Sequence, residues 1–436
     1  MSKKTRKEQL VYRKIKKPNR FIARIVLLVL GRLSRKKKVK ITYKYDKKQL
    51  KKQPVILLAT HTSRLEFIYT LHGFNSTNIN IVCGYQNILV QSKLVFKLML
   101  KLGVIAKYLY QSDVVSVKQM IRAIKNNTSL VIFPEGIQSV SGSTQPINPA
   151  TIKLLKKCTV PVVLSKSYGS YLVNNRYSSD TKKGPIEVEF SLLFTKEDLA
   201  NLSEQEIYNK LLEQFKYNEF EYNKLHQHKY IGKTPNIEGL NKLIYICPHC
   251  KQEFKLVINN DNMKCTNCEY EIKMNECYNL LPVNKELIFD DIDKWYKWQR
   301  NIVREEVKDD SFELSMEATL QTFSDTKFIK KTRNLIDLSS GKVVMNNKGI
   351  KYYPTDDEKN PVIFDAKGVY SLTLSTRGYL EFYYYNDYYI FKPNNPTNEL
   401  VKWMLAAEEI HIMYDDAWEK VSQDVYKYET NEKEAK

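Results

Sequence analysis

The chain has 436 residues and a formal charge of +20, yet sixteen of its lysines and arginines, against one acid, Glu8, fall within residues 1–40. That segment carries +15 and the remainder only about +5, which argues against a nucleic-acid-binding protein, where positive charge spreads along an aromatic-lined groove. The seven cysteines make neither an even set nor a secreted disulfide framework, since Cys83, Cys158 and Cys277 are scattered, and they point to a reducing cytosol.

The first predicted element lies inside the basic segment. The apolar run from Phe21 to Leu33 would be about 20 Å long as a helix, against a hydrocarbon core of about 30 Å, so it is too short to span a bilayer. Flanked by Arg20 and by Arg35-Lys36-Lys37-Lys38, it reads as a helix lying among headgroups, where each basic residue adds about 1 kcal/mol on anionic lipid. A signal peptide is the alternative, but no small-x-small cleavage site follows. Residues 1–50 are therefore expected to anchor the chain to an anionic membrane surface, peripheral or monotopic, at the cytoplasmic face of the cell membrane.

Residues Pro54 to Thr60 form a short, partly β-branched apolar run that predicts a buried strand. His61 follows at its C-terminal end, and a helical pattern opens at Ser63. In open α/β sheets the loops at strand C-termini converge on a crevice, which is where chemistry is done. Ser63-Arg64-Leu65-Glu66 also fits a capping box, a purely structural device. From Lys93 to Gly103 a second amphipathic helix is expected, with Lys93, Lys97 and Lys101 on one stripe and apolar residues on the other faces. Then come Gly103-Val104-Ile105-Ala106-Lys107-Tyr108-Leu109, a strand over Ser129–Phe133 that delivers Phe133-Pro134-Glu135-Gly136, and another at Val160-Pro161-Val162-Val163.

His61 with an acid at Glu66, then Phe133-Pro134-Glu135-Gly136, then the Val-Pro strand, is an ordered set that resembles the glycerolipid acyltransferases of the lysophosphatidate acyltransferase type over roughly residues 53–230. The chemistry fits the residues. Acyl transfer from a thioester to a hydroxyl needs a base near neutrality, and His61 is the candidate. A carboxylate behind the imidazole, here Glu66, would fix its tautomer, as in hydrolase triads. The resemblance implies that Phe133, Pro134, Glu135 and Gly136 form the acceptor site, and amides near Gly136 are expected to face a tetrahedral oxyanion. It also implies acyl-CoA or acyl-carrier protein as donor and a lysophospholipid, 1-acyl-glycerol-3-phosphate, as acceptor. Two departures bear on that acceptor. The block continues Ile137-Gln138-Ser139 where the family has Thr-Arg-Ser, and the 103–109 stretch lacks its arginine, leaving Lys107, Arg64 and Arg176 as the cations to face a phosphate. A non-phosphorylated acceptor, or an inactive lipid-binding scaffold, are the alternatives.

Cys247-Pro248-His249-Cys250, and after fourteen residues Cys265-Thr266-Asn267-Cys268, have zinc-ribbon spacing. Four thiolates fill a tetrahedron, so one structural Zn2+ is expected, with His249 a spectator. Beyond Asp291 the pattern becomes short alternating strands with turns at Asn346-Asn347-Lys348-Gly349 and Asn386-Asp387, rich in tyrosine, and then one helix from Asn398 to about Met413. The expected architecture is thus an α/β acyltransferase sheet-and-helix domain at 51–235, a zinc ribbon at 236–285, a small antiparallel β domain closed by a C-terminal helix at 286–420, similar in pattern to pleckstrin-homology and GRAM modules, and a polar tail at 421–436.

Overall fold

The computed structural model describes residues 5–11, 13–50, 53–109, 113–324, 327–375, 377–395 and 399–426. Most of the expected polar tail, and Pro396 and Asn398 before the last long helix, lie outside them. Two helices, α1 (Arg6–Val11) and α2 (Arg20–Lys36), precede a seven-stranded sheet. Its strands are β1 (Lys40–Tyr43), β2 (Ile56–Ala59), β3 (Ile79–Gly84), β4 (Ile105–Lys107), β5 (Ser129–Ile132), β6 (Val162–Tyr168) and β7 (Glu187–Phe194). The order is β1-β7-β6-β2-β5-β3-β4. The last five run parallel, while β7 lies antiparallel to β6 and carries β1 beside it. Strands β2 and β5 are buried at every position, as parallel strands covered on both faces must be, which explains their unbroken apolar runs. Strand β1 lies within the segment expected to be only an anchor.

The connecting helices are α3 (Glu66–Phe74), α4 (Tyr85–Leu89), α5 (Lys93–Lys101), α6 (Val114–Lys125), α7 (Ala150–Cys158) and α8 (Ser170–Val173), and α9 (Lys196–Asn201), α10 (Glu204–Phe215) and α11 (Glu219–His226) follow the sheet. Helix α2 packs on α3 through Ala23, Leu30, Gly31 and Ser34, and turns Phe21, Ile25, Leu28, Val29 and Leu33 outward. Among the described residues no helix is long and apolar enough to cross a membrane. On α5 only Phe96 is buried, and Leu94 stands 78% exposed.

Strands β8 (Leu256–Asn259), β9 (Asn262–Cys265), β10 (Glu271–Met274) and β11 (Leu280–Pro282) make a four-stranded antiparallel ribbon. Helix α12 (Ile292–Glu306) leads into a second seven-stranded sheet of β12 (Leu314–Phe323), β13 (Leu335–Asn346), β14 (Gly349–Pro354), β15 (Val362–Asp365), β16 (Thr373–Leu374), β17 (Leu380–Tyr384) and β18 (Asp387–Pro393). It is antiparallel throughout, in the order β15-β14-β13-β12-β18-β17-β16. Both expected turns are in place, and the tyrosine-rich run forms cross-strand pairs, Phe382 with Tyr389 and Tyr383 with Tyr388. Helix α13 (Leu400–Ile412) buries Trp403, Met404 and Leu405, and α14 (Asp416–Tyr426) follows it. Helices α12 and α13 are locked by a buried ion network in which Arg300 meets Glu408 at 2.6 Å and Glu409 at 2.5 Å.

The second sheet docks on the C-terminal ends of the parallel strands. The Tyr383 hydroxyl bonds the side chain of Gln86 and accepts from its backbone N–H, and its ring meets Tyr108 edge-on at 5.9 Å. The amino-terminal segment wedges into the same junction. Buried Arg6 donates to the carbonyl oxygens of Leu89 on one side and of Ser324 and Lys327 on the other.

Candidate active site

Strand β2 ends at Ala59, and the chain turns through Thr60, His61 and Thr62 before α3 begins at Glu66. The helix therefore starts three residues later than its sequence pattern suggests, and the capping box does not close. Leu65 occupies the cap position with no side-chain bond, and the Ser63 hydroxyl pairs instead with that of Ser170 at 2.6 Å. Glu66, fully buried, turns back toward the strand end. One carboxyl oxygen accepts from the Thr60 hydroxyl at 2.8 Å, and the other from the Thr62 amide at 2.5 Å, with the Ser63 amide at 3.5 Å. That second oxygen lies 3.8 Å from Nδ1 of His61. The sequence-predicted pair is thus assembled, at ion-pair rather than hydrogen-bond distance, and Nδ1 has no closer polar partner.

Electrostatics keep the pair neutral at pH 7. Burial, aided by the positive charge of Arg176, pushes the imidazole down to about 3. Burial also pushes the Glu66 carboxyl up to about 8, against the pull of the Thr60, Thr62 and Ser63 donors. His61 is therefore an unprotonated base across the neutral range, and ionisation of Glu66 would raise its basicity.

The Phe133-Pro134-Glu135-Gly136 block is stitched to His61. The His61 amide donates to Glu135 at 2.7 Å, the His61 carbonyl accepts from the Ser139 amide at 2.8 Å, and the Phe133 ring lies 4.7 Å from the imidazole. Gly136 takes φ +76°, a left-handed conformation that glycine adopts without penalty. The sequence expectation for this block shifts in two respects. The Glu135 carboxyl is buried and engaged inside the loop, accepting also from the Gln145 amide at 2.8 Å and the Tyr217 hydroxyl at 3.3 Å. The amides of Gly136, Ile137 and Ser139 donate to Phe133, Glu135 and His61 carbonyls, so they are not turned toward an oxyanion. The loop is braced from far along the chain. Asp293 at the start of α12 accepts from the Ser141 and Ser143 hydroxyls at 2.5 Å each, and the Tyr426 hydroxyl donates to the Gln145 side chain at 2.8 Å. Thr60, Gln145, Tyr217, Asp293 and Tyr426 carry no signal in sequence, because each acts through a contact that only the fold creates.

The three candidate cations part company. Lys107 ends β4, three strands and about 14 Å across the sheet from β2, and bonds the Tyr108 carbonyl at 3.3 Å. Arg64 is exposed and donates to Asn174 at 3.2 Å. Arg176, half-buried, donates to the Gln138 side chain at 3.2 Å and to the Leu374 carbonyl of β16 at 2.7 Å.

The four ribbon cysteines also converge. Their Sγ atoms lie within 4.8 Å of one another, and Cys247–Cys268 and Cys250–Cys265 are each 3.7 Å apart. A tetrahedral zinc with bonds of about 2.3 Å has sulfur–sulfur edges of about 3.8 Å, so this donor set fits the ion and leaves no position for a substrate. His249 is outside the cluster, stacked beside Tyr270 with ring centres 6.1 Å apart.

Residues 40–164 match the family model Acyltransferase. Over 76 residues the chain is 33% identical to 1-acyl-sn-glycerol-3-phosphate acyltransferase of Cocos nucifera, a stretch covering 17% of this chain and 25% of that protein. The chain thus spans about a quarter of the length of the curated relative it matches. Among solved structures it is similar to the 1-acyl-sn-glycerophosphate (LPA) acyltransferase of Thermotoga maritima, at 17% identity and a TM-score of 0.35, covering 44% of this chain and 77% of that one.

Proposed function

From the premise that residues 40–164 are an acyltransferase-family domain, we propose that this chain is a membrane-surface O-acyltransferase. It moves a fatty acyl group from acyl-CoA or acyl-carrier protein to the hydroxyl of a lysophospholipid, 1-acyl-glycerol-3-phosphate in the first instance. The observation that carries the reading is His61, backed by Glu66 at 3.8 Å, at the end of a parallel strand and fastened to the Glu135 loop.

In this reading Nε2 of His61 takes the acceptor's hydroxyl proton as its oxygen attacks the thioester carbonyl. The tetrahedral adduct collapses, the carbon–sulfur bond breaks, and the imidazolium returns the proton to the departing thiolate. Glu66 holds the ring and stabilises the imidazolium while it exists.

The membrane-surface part rests on α2 and α5. Phe21 is 73% and Leu28 59% exposed on α2, Leu94 is exposed on α5, and the start of α2 is joined to the end of α5 by a hydrogen bond from the Asn19 amide to the Lys101 carbonyl. The ribbon is a structural zinc clip, and the second sheet with α13 is an accessory module of pleckstrin-homology or GRAM-like pattern. The test is the purified full-length chain on anionic vesicles with labelled acyl donor and a panel of lysophospholipids, products read by mass spectrometry. Phosphatidate is expected, and its loss in His61→Ala. No acylated product with either donor overturns the proposal.

A further inference from the structure

Three features lie along the junction of the Gln138 loop with the second sheet and are not used by the chemistry of His61 and Glu66. The loop after Gly136 presents a buried glutamine, Gln138, whose side-chain oxygen receives the guanidinium of Arg176 at 3.2 Å. The same guanidinium reaches the carbonyl oxygen of Leu374 at 2.7 Å, and Leu374 is an edge residue of the second sheet. On the adjacent strand β17, Glu381 accepts from the Tyr388 hydroxyl at 2.6 Å, and burial raises its carboxyl above the usual range against the pull of Arg176 and Arg377. Arg176 thus joins the loop that follows Gly136 to the second sheet.

We propose that Arg176 is the specificity-determining cation of the acceptor site, and that the second sheet, through the Leu374 carbonyl, sets its position, so that this sheet forms one wall of the site. The ligand chemistry is an anionic headgroup bearing a hydroxyl, a phosphomonoester above all, because a planar guanidinium fork grips two oxygens of a phosphate while the hydroxyl faces His61. Several observations support Arg176 over the other cations. Its charge is felt at the His61 imidazole. Lys107 is about 14 Å away across the sheet, and Arg64 points to Asn174 at the surface. An arginine held by the amide of Gln138 and a main-chain carbonyl is also oriented before the acceptor arrives, which reduces the entropy lost on binding. The proposal rests on the acyltransferase reading above and deepens it.

The experiment compares lysophosphatidate with monoacylglycerol as acceptors for the full-length protein, with thermal unfolding measured on each variant. In Arg176→Gln the ratio of kcat/KM for lysophosphatidate to that for monoacylglycerol is expected to fall about 10- to 100-fold, mostly through a raised KM for lysophosphatidate, with the unfolding temperature held. Placing the guanidinium on the opposite partner, in the double variant Arg176→Gln with Gln138→Arg, is expected to recover much of that ratio. A wild type that acylates lysophosphatidate, combined with an unchanged ratio in Arg176→Gln or an equal loss on both acceptors, overturns this inference and leaves the acyltransferase reading standing. A wild type that acylates neither acceptor overturns both.

Discussion

At the scale of single residues the site turns on how a half-buried imidazole and a buried carboxyl share protons. Because His61 is held down to about 3, it is already deprotonated where an ordinary histidine would be charged, so the acid limb of kcat/KM should fall well below 6.5. Because Glu66 is held up to about 8, its carboxylate forms only as pH rises through that value, and the rate should climb there as the imidazole becomes more basic. Glu66→Gln should abolish the climb, and a climb that survives would reduce Glu66 to a framework residue. His61→Ala should lower the rate by about 10²- to 10⁴-fold with the fold intact by circular dichroism. Glu135→Gln removes an acceptor from a carboxyl that takes three donors, so it should destabilise the protein by about 1–3 kcal/mol in denaturant unfolding. The identities of His61 and Glu66 were legible in the sequence because strand, base and acid are contiguous. The role of Glu135 was not, since its partners Gln145 and Tyr217 are brought to it by the fold.

At the scale of elements, short-range patterns carried the reading well. The alternation around Asn346-Asn347-Lys348-Gly349 encodes β13 and β14 directly, and two cysteine knuckles fourteen residues apart can close on one ion only through the hairpin of β8 and β9. Cys265→Ser should release zinc, seen by metal analysis, and unfold the ribbon at lower denaturant than the rest. Helix α3 shows what patterns miss. Ser63 looks like a cap, but Ser170, over a hundred residues on, claims its hydroxyl, and the helix opens later. The outward stripe of α2 has a consequence of its own. Phe21→Ser with Leu28→Ser should weaken binding to anionic vesicles in flotation assays while leaving the unfolding temperature nearly unchanged, because both side chains already face outward. Retention equal to wild type would remove α2 from the membrane contact.

For the molecule as a whole, the division into an anchor, a catalytic domain, a ribbon and a β module describes the sequence better than the packing, since sequence patterns report local structure and say little about which faces meet. Strand β1 joins the anchor to the catalytic sheet, Arg6 ties the amino-terminal segment to both sheets, and Asp293 ties α12 to the catalytic loop. Burial of this extent also fixes a pH response. Glu66, Glu135 and Glu219 all have folded pKa values raised to about 8, whereas unfolded they release their protons near 4.5. The unfolded chain therefore binds fewer protons over that range, and stability falls as pH rises. Below about 6.5 the histidines His61, His72 and His411, with pKa values lowered by desolvation, work in the opposite sense. Between about 6.5 and 8 these carboxyls act without the histidines, and the unfolding temperature should drop across that window; a flat or rising profile would count against this assignment of protons. The bond from Tyr426 to Gln145 sets an order of events during synthesis. Gln145 emerges from the ribosome nearly three hundred residues before the hydroxyl that steadies it, so a nascent chain holds His61 and Glu135 long before the brace behind them exists. The bracing of that loop is then a property acquired late, when α14 has folded back against it.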